Sequence, residues 1–426
     1  MKLAVVVQRY AANISGGAEL HARFVAERLS RHAEVEVMTT CAKDYVTWRN
    51  EWPSGEEEIN GVRVRRFRVS RPRNERTFGF HSRWVFDHPH SVADELRWLS
   101  SGGPLSRALI RHIRRRAADF DYFLFFSFRY FHAYHGARAV PDKAVLVPTA
   151  ERDPALGLSI FAPVLRGARA LMYNSLEERA LIEGVTHRDG PGVVVGVGSE
   201  IPDRPEPARF RRKFGVTKPF AIYVGRIDEN KGCREMFAHF AQYAAANPRG
   251  LDLRLVGAKH LDIPDHPRIH HLGFLSDEDK FDAIAAADVL IMPSPFESLS
   301  MVVLEAWALG KPVLVNAKCD VLLGQCLRSG GGLFYTTADE FAEALFTLDG
   351  SGPAGPVLGR QGREFFRRHY TWPVIERKYR DMFDRLSRDS SRPTMDPLPG
   401  LIARRRRSRP AGRAVVDALP SGPVLR

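Results

Sequence analysis

VLIMPSPFESLSMVVLEAWALGKPVLVN, residues 289–316, reads as strand, loop, helix and strand in succession. The outer runs, VLIMPS (289–294) and VLVN (313–316), are continuous and aliphatic, the pattern of a strand covered on both faces of its sheet. A helical pattern separates them. Parallel-type strands alternating with helices form the repeating unit of a doubly wound α/β fold.

The same unit recurs outward in both directions. Toward the amino end lie RIHHLG (268–273), LRLVG (253–257) and FAIYVG (220–225). Earlier come VVVGVG (193–198), ALMYNS (170–175), AVLVPT (144–149), YFLFFS (122–127), VRVRRFRV (62–69), VEVMTT (35–40) and LAVVV (3–7). Apolar faces at helical spacing fall between strands, as with Leu20 and Phe24 or Phe237, Phe240 and Ala244. The two strand series are split by SEIPDRPEPARFRRKFGVTK (199–218), rich in proline and basic residues. The expected organisation is a first Rossmann-like domain over 1–200, a linker over 201–218 and a second Rossmann-like domain over 219–365. Two helices over 366–390, broken at Thr371-Trp372-Pro373, and a basic disordered tail over 391–426 complete it.

Composition narrows the classes. The chain has 426 residues, 44% of them hydrophobic and 27% charged, with a mean hydropathy of −0.26. That supports sizeable cores and argues against a disordered polymer, a collagen or a polytopic membrane protein. The apolar run near the start, Leu3 to Val7, is too short for a signal peptide or a span, so the expected location is cytoplasmic, with any membrane contact peripheral at the inner face. Cys41, Cys233, Cys319 and Cys326 lack C-x-x-C spacing, which points to a reducing compartment and away from zinc. Of the net charge of +13, the segment from Leu401 onward carries +6, from seven arginines and Asp417. The body is thus only mildly basic, unlike a dedicated nucleic-acid binder. In PLSRALIRHIRRRAADF (104–120), Leu105, Leu109, Ile113 and Ala117 form one stripe and Arg107, Arg111, Arg114 and Arg115 lie off it. Such a helix is either a solvated surface helix or, with the tail, a contact for anionic lipid. The aromatics Phe78, Phe80, Trp84, Phe86 and Trp98 fit either a substrate-facing insertion or packing.

Three segments carry residues suited to chemistry. Gly16-Gly17, in SGGAE (15–19), follows the first strand and opens a helix, where backbone N–H groups can approach a phosphate. Arg226 and Lys231, in YVGRIDENKG (223–232), leave the first strand of the second domain; a planar fork and a point charge suit a diphosphate at the carboxyl edge of the sheet. Glu297 precedes the helical pattern that contains Glu305. Eight positions span about 12 Å if helical, a nucleotide sugar's scale. Carboxylates accept from hydroxyls, while N–H groups near Ser298, Leu299, Ser300 and Met301 face phosphate. Solvated surface cations and a commonplace glutamate pair are the alternatives.

Taken in order, the Gly-Gly loop, the G-R-x₄-K-G segment and the E-x₇-E segment followed by G-K-P resemble glycosyltransferase family 4 on the two-domain GT-B fold, two Rossmann-like domains facing each other across a cleft. The likeness covers roughly residues 1–386, with DYFLFFS (121–127) and YNSLEER (173–179) as further landmarks. It implies a retaining glycosyltransferase that moves a sugar from a nucleotide-diphosphate donor to an acceptor hydroxyl in glycan, polysaccharide or glycolipid synthesis. It also implies that Glu305 holds the ribose and Glu297 the donor sugar, as the catalytic carboxylate. Arg226 and Lys231 would compensate the diphosphate, and Gly16-Gly17 would let the first domain close over it. The acceptor would be a saccharide or lipid-linked saccharide; no cofactor and no obligatory metal are implied. One departure concerns the acceptor side. Many relatives carry a histidine, often followed by Asp, after the strand that here reads AVLVPT; this chain has Glu151, followed by Arg152 and Asp153. The alternatives are another GT-B enzyme, such as a nucleotide-sugar epimerase or a phosphorylase-like protein, or a catalytically altered nucleotide-sugar-binding protein.

Overall fold

The computed structural model describes residues 1–14 and 16–398; Ser15 and residues 399–426, most of the expected basic tail, lie outside the described residues. In chain order, β1 (Lys2–Val6), β2 (Glu34–Thr40), β3 (Gly55–Ile59), β4 (Val62–Phe67), β5 (Tyr122–Phe126), β6 (Ala144–Val147), β7 (Ala170–Tyr173) and β8 (Gly192–Val194) form one sheet. Their spatial order is β3-β4-β2-β1-β5-β6-β7-β8. A second sheet holds β9 (Phe220–Val224), β10 (Asp252–Val256), β11 (Ile269–His271), β12 (Val289–Met292), β13 (Val313–Asn316) and β14 (Gly332–Tyr335), ordered β11-β10-β9-β12-β13-β14. Every neighbouring pair is parallel except β3–β4.

The continuous apolar reading of the strands has a direct cause. On β1, Leu3 and Val5 pack into one cluster with Ala22, Val25 and Leu29 of the helix Gly17–Leu29, whereas Ala4 and Val6 pack into another with Leu109, Ile113 and Phe123. Successive side chains leave opposite faces, so a sheet with helices on both sides needs apolar residues at every position. Two strands escaped the sequence reading. β3 is GEEEI, exposed and held at the sheet edge by its antiparallel register and by ion pairs such as Glu56–Arg65 at 2.7 Å. β14, GLFY, is a short, half-covered edge strand.

The stretch read as a linker contains the helix Pro207–Phe214, which leans on the second domain through Arg209 and Asp282, 2.5 Å apart. The last helix, Trp372–Arg388, begins with Pro373 in its first turn and returns to the first domain. There Trp372 meets Phe24 edge-on at 5.8 Å and Phe383 stacks on Tyr122 at 5.4 Å. Residues 391–398 differ from the expected start of a disordered tail. The buried Arg169 donates to the carbonyl oxygens of Leu386 (2.9 Å), Asp389 and Ser391 (2.5 Å), and Met395 and Leu398 pack against the first-domain core.

The basic stretch forms the helix Arg107–Arg115, with Leu109 and Ile113 buried and Arg107, Arg111, Arg114 and Arg115 exposed. The aromatic stretch divides: Trp98 is buried, while Phe80 and Trp84 are exposed on the helix Glu75–Asp87. Among the described residues, no helix is long and apolar enough to cross a membrane. The four cysteines are buried and free.

Candidate functional site

The carboxyl ends of the two sheets meet. Residues following β6 and β7 face residues following β12 and β13 across a cavity of about 360 Å³. Its walls include Glu151, Arg152, Glu177 and Glu178 from the first domain and Phe296, Glu297, Lys318 and Asp320 from the second. Contacts bridge it: Asn174 Nδ2 donates to Ser298 Oγ at 3.3 Å, Arg152 pairs with Asp320 at 2.6 Å, and Arg328 donates to Glu177 at 3.0 Å.

On the second-domain side, Lys231 ends a short turn, Glu229–Lys231, capped by Asp228, whose Oδ1 accepts from the Lys231 N–H at 2.9 Å. Gly232 follows with φ 71°, and a Cβ there would stand 2.3 Å from the Pro293 oxygen. Only glycine lets this loop seat so closely on the segment after β12. The seating brings Lys231 Nζ to Glu297 Oε1 at 2.7 Å. Burial depresses the Lys231 ammonium, but Glu297 more than offsets it, and the group ends above its usual value. Arg226, exposed, lies 3.3 Å from Asp228.

Glu305 sits on the helix Met301–Ala308, whose start is capped by Ser300 accepting from the Val303 N–H. Leu299 is buried in the core and anchors the turn. Glu305 is 5% exposed; its Oε1 accepts from Lys280 at 3.2 Å, while Oε2 is buried with no partner among the described residues. Burial raises its carboxyl above the usual range, with Lys280 pulling the other way. A buried carboxylate oxygen without a donor is costly, and a ligand hydroxyl would satisfy it.

On the first-domain side, Glu151 is half-buried and makes no ion pair or side-chain hydrogen bond among the described residues. Burial pushes its carboxyl up and Glu297 adds to the effect, whereas Lys231 opposes it. Arg152 lines the cavity from its pair with Asp320. Asp153 is occupied elsewhere: it pairs with Arg129 and caps the turn Pro154–Gly157 through the Ala155 N–H at 2.8 Å. Gly16 has φ 130°, and a Cβ on it would lie 2.4 Å from Glu19 Oε2. Gly16 and Gly17 open their helix beside the buried pair Arg9–Glu19, 2.7 Å apart in their own domain. His132, buried, faces the Phe126 carbonyl at 3.1 Å as an ordinary helix residue.

The structure therefore brings Glu151, Arg152 and Glu297 to one cavity, with Lys231 bonded to Glu297 behind it, places Glu305 midway along the helix that follows, and leaves Asp153 in a cap. Sequence reasoning missed Asn174, Glu177, Glu178, Lys280, Lys318 and Asp320. The glutamates of YNSLEER were the one available signal, quoted as a landmark and not as site residues.

Comparison with known proteins gives consistent findings. Residues 218–348 match the family model described as Glycosyl transferases group 1. The 2-deoxystreptamine glucosyltransferase of Streptomyces kanamyceticus is 31% identical over 143 residues, covering 28% of this chain and 36% of that protein. Across six curated relatives the matches span 27% to 50% of each relative's length. Among solved structures, sucrose-phosphate synthase from Thermosynechococcus elongatus superposes with a TM-score of 0.69 at 17% identity, covering 91% of this chain and 99% of that one. Anabaena HepE in complex with UDP-glucose superposes at 0.66 and 16% identity, covering 90% and 100%.

Proposed function

We propose that this chain, which has the GT-B fold and carries a group 1 glycosyl transferase domain over residues 218–348, is a glycosyltransferase that moves a sugar from a nucleotide-diphosphate donor to an acceptor hydroxyl with retention of configuration. The observation that carries the reading is the buried Oε2 of Glu305, without a partner among the described residues and carried on the helix that follows Glu297 of the Lys231–Glu297 pair. Ribose hydroxyls would donate to Glu305. Lys231 and Arg226, with the N–H groups of Ser298 to Met301, would face the diphosphate, and Glu297 would accept from hydroxyls of the donor sugar.

In the transfer, the bond between the anomeric carbon and the diphosphate oxygen breaks, and the diphosphate leaves with the electron pair. The acceptor oxygen bonds to the anomeric carbon on the same face and passes its proton to the departing phosphate oxygen. Charge develops on that leaving group, where preorganised cations contribute most. Two protein cations supply the compensation, so the reading calls for no obligatory metal.

Support for the acceptor comes from the other wall. Glu151, Glu177 and Glu178 outnumber Arg152 there. Such a wall suits a neutral or amine-bearing polyol better than a phosphorylated one, in keeping with a relative that by its name glucosylates 2-deoxystreptamine. The exposed face of the helix Arg107–Arg115 supports peripheral contact with anionic membrane.

The test is turnover. Purified chain is incubated with UDP- and GDP-sugars and a panel of neutral, amino and phosphorylated acceptors, and the product anomer is read by NMR. Transfer with retained configuration is expected. Inversion, or donor rearrangement without any acceptor, overturns the reading.

A further inference from the structure

Glu178 is a buried acid that the transfer chemistry above does not use. It lies in the first turn of the helix Leu176–Thr186, behind the cap Ser175, whose Oγ accepts from the Glu178 N–H at 3.1 Å. Its carboxylate does not point along the helix. Oε1 accepts from the Ala150 N–H at 2.5 Å, and Oε2 accepts from the Asn174 N–H. Glu178, Ala150 and Asn174 are each 3% exposed or less. One carboxylate therefore ties together the carboxyl ends of β6 and β7, neighbouring parallel strands of the sheet.

Both tied residues lead to the cavity. Ala150 immediately precedes Glu151. Asn174 reaches across to Ser298, the neighbour of Glu297, at 3.3 Å. The residue before Ala150 is Thr149, with φ 50°, a conformation a β-branched side chain adopts at a cost. It is held by Ser127 Oγ at 2.9 Å on one side and, through the next amide, by Glu178 on the other.

We infer that Glu178 is a positioning residue: it sets Glu151 and, through Asn174, the Glu297-bearing loop at one fixed spacing across the cavity. The inference rests on the reading above, in which Glu151 faces the acceptor and Glu297 the donor sugar. Only a carboxylate long enough to span both strand ends offers two acceptors to two amides. An amide side chain would turn an N–H toward one of them, and an aspartate is too short to span. On balance the groups around Glu178 oppose its ionisation, and only the backbone donors favour the carboxylate form. Burial pushes its carboxyl up to about 8, its two backbone donors pull the other way, and Glu151, the charged group opposite, raises it further. Tyr173 of β7 also feels it, and the Lys231–Glu297 pair acts on Glu151 from the second domain.

The experiment compares wild type with Glu178→Gln by hydrogen exchange, nucleotide affinity and turnover. Exchange should quicken in segments 148–152 and 173–176, and also in 295–299 of the other domain. Transfer should slow by about 10- to 100-fold while nucleotide diphosphate affinity stays within about 2-fold. Added to Glu151→Ala, the substitution should cost less than it does alone. Unchanged exchange at 295–299, or costs that multiply in the double variant, would overturn the inference, since a local structural role predicts both. Should Glu178→Gln fail to fold, Asn174→Ala tests the same relay: it should loosen 295–299 and leave 148–152 protected, and protection of both segments counts against it. If wild type transfers no sugar, the functional reading fails alone, and the exchange data still decide this one.

Discussion

The two walls of the cavity are finished differently. In the second domain the charged groups come matched: Lys231 with Glu297, Lys280 with Glu305, Arg226 with Asp228. In the first, Glu151 makes no ion pair among the described residues, with Lys231 and Arg129 acting on it only at a distance, and Glu178 is held by backbone amides. A matched wall keeps its groups charged and oriented before anything binds, which suits a partner of fixed shape and charge. An unmatched wall stores unsatisfied demand, and the partner that enters must meet it. Under the proposed function, the wall with matched charges would take the donor and the unmatched wall the acceptor.

The contrast can be broken most forcefully at Glu297 and Lys231. Glu297→Ala or Lys231→Ala should each lower kcat by about 10²- to 10³-fold, the usual cost of losing one preorganised electrostatic contact. Steady-state kinetics at saturating donor checks this, and a loss below about 3-fold would remove the pair from the chemistry. Glu305→Ala should act on binding instead, weakening nucleotide diphosphate by about 10- to 100-fold, the range for hydrogen bonds to a charged acceptor. Titration calorimetry reads that constant directly.

The buried acids of both walls have a signature in pH. Glu178 is pushed up to about 8 by burial, and Glu151 and Glu305 are raised as well, again chiefly by burial. An acid raised in the folded chain binds more protons there than when unfolded. Its stabilising contribution is full below the unfolded value, about 4.3, and is lost as pH rises through the folded one. Buried His21, His132 and His135, lowered by burial, give the opposite slope below about pH 7, so Tm should fall between pH 7 and pH 9, and Glu178→Gln should flatten part of that fall. A Tm rising over this window would contradict the assignment. The smallest effect sharpens the boundary of the first domain. Removing residues 391–426 should lower stability by about 1 kcal/mol, read by urea denaturation, through loss of the Ser391 acceptor of Arg169.

The sequence was unevenly legible, for physical reasons. Lys231 and Glu297 could be found because each lies on a loop directly after a strand, so local spacing places it at the sheet edge. Strands covered on both faces announce themselves by composition. The edge strand GEEEI does not, because its side chains face water and its order comes from a neighbour. Glu178 was opaque for another reason: its work depends on β6 lying beside β7, which brings Ala150 and Asn174 to one carboxylate. No periodicity encodes that neighbourhood. Residues 391–398 look disordered in a polar, proline-bearing stretch, yet the Ser391 carbonyl is held by Arg169 and that of Asp396 by Arg138, each more than two hundred positions earlier.

The most direct measurement is nucleotide binding to three proteins side by side: wild type, Glu305→Ala and Glu151→Ala. Calorimetric titration with UDP and GDP should show one nucleotide bound by wild type, bound equally by Glu151→Ala and lost or strongly weakened in Glu305→Ala. That pattern would place the donor on the matched wall alone. Equal binding by all three, or loss with Glu151→Ala and retention with Glu305→Ala, would contradict the division of the cavity on which the account depends.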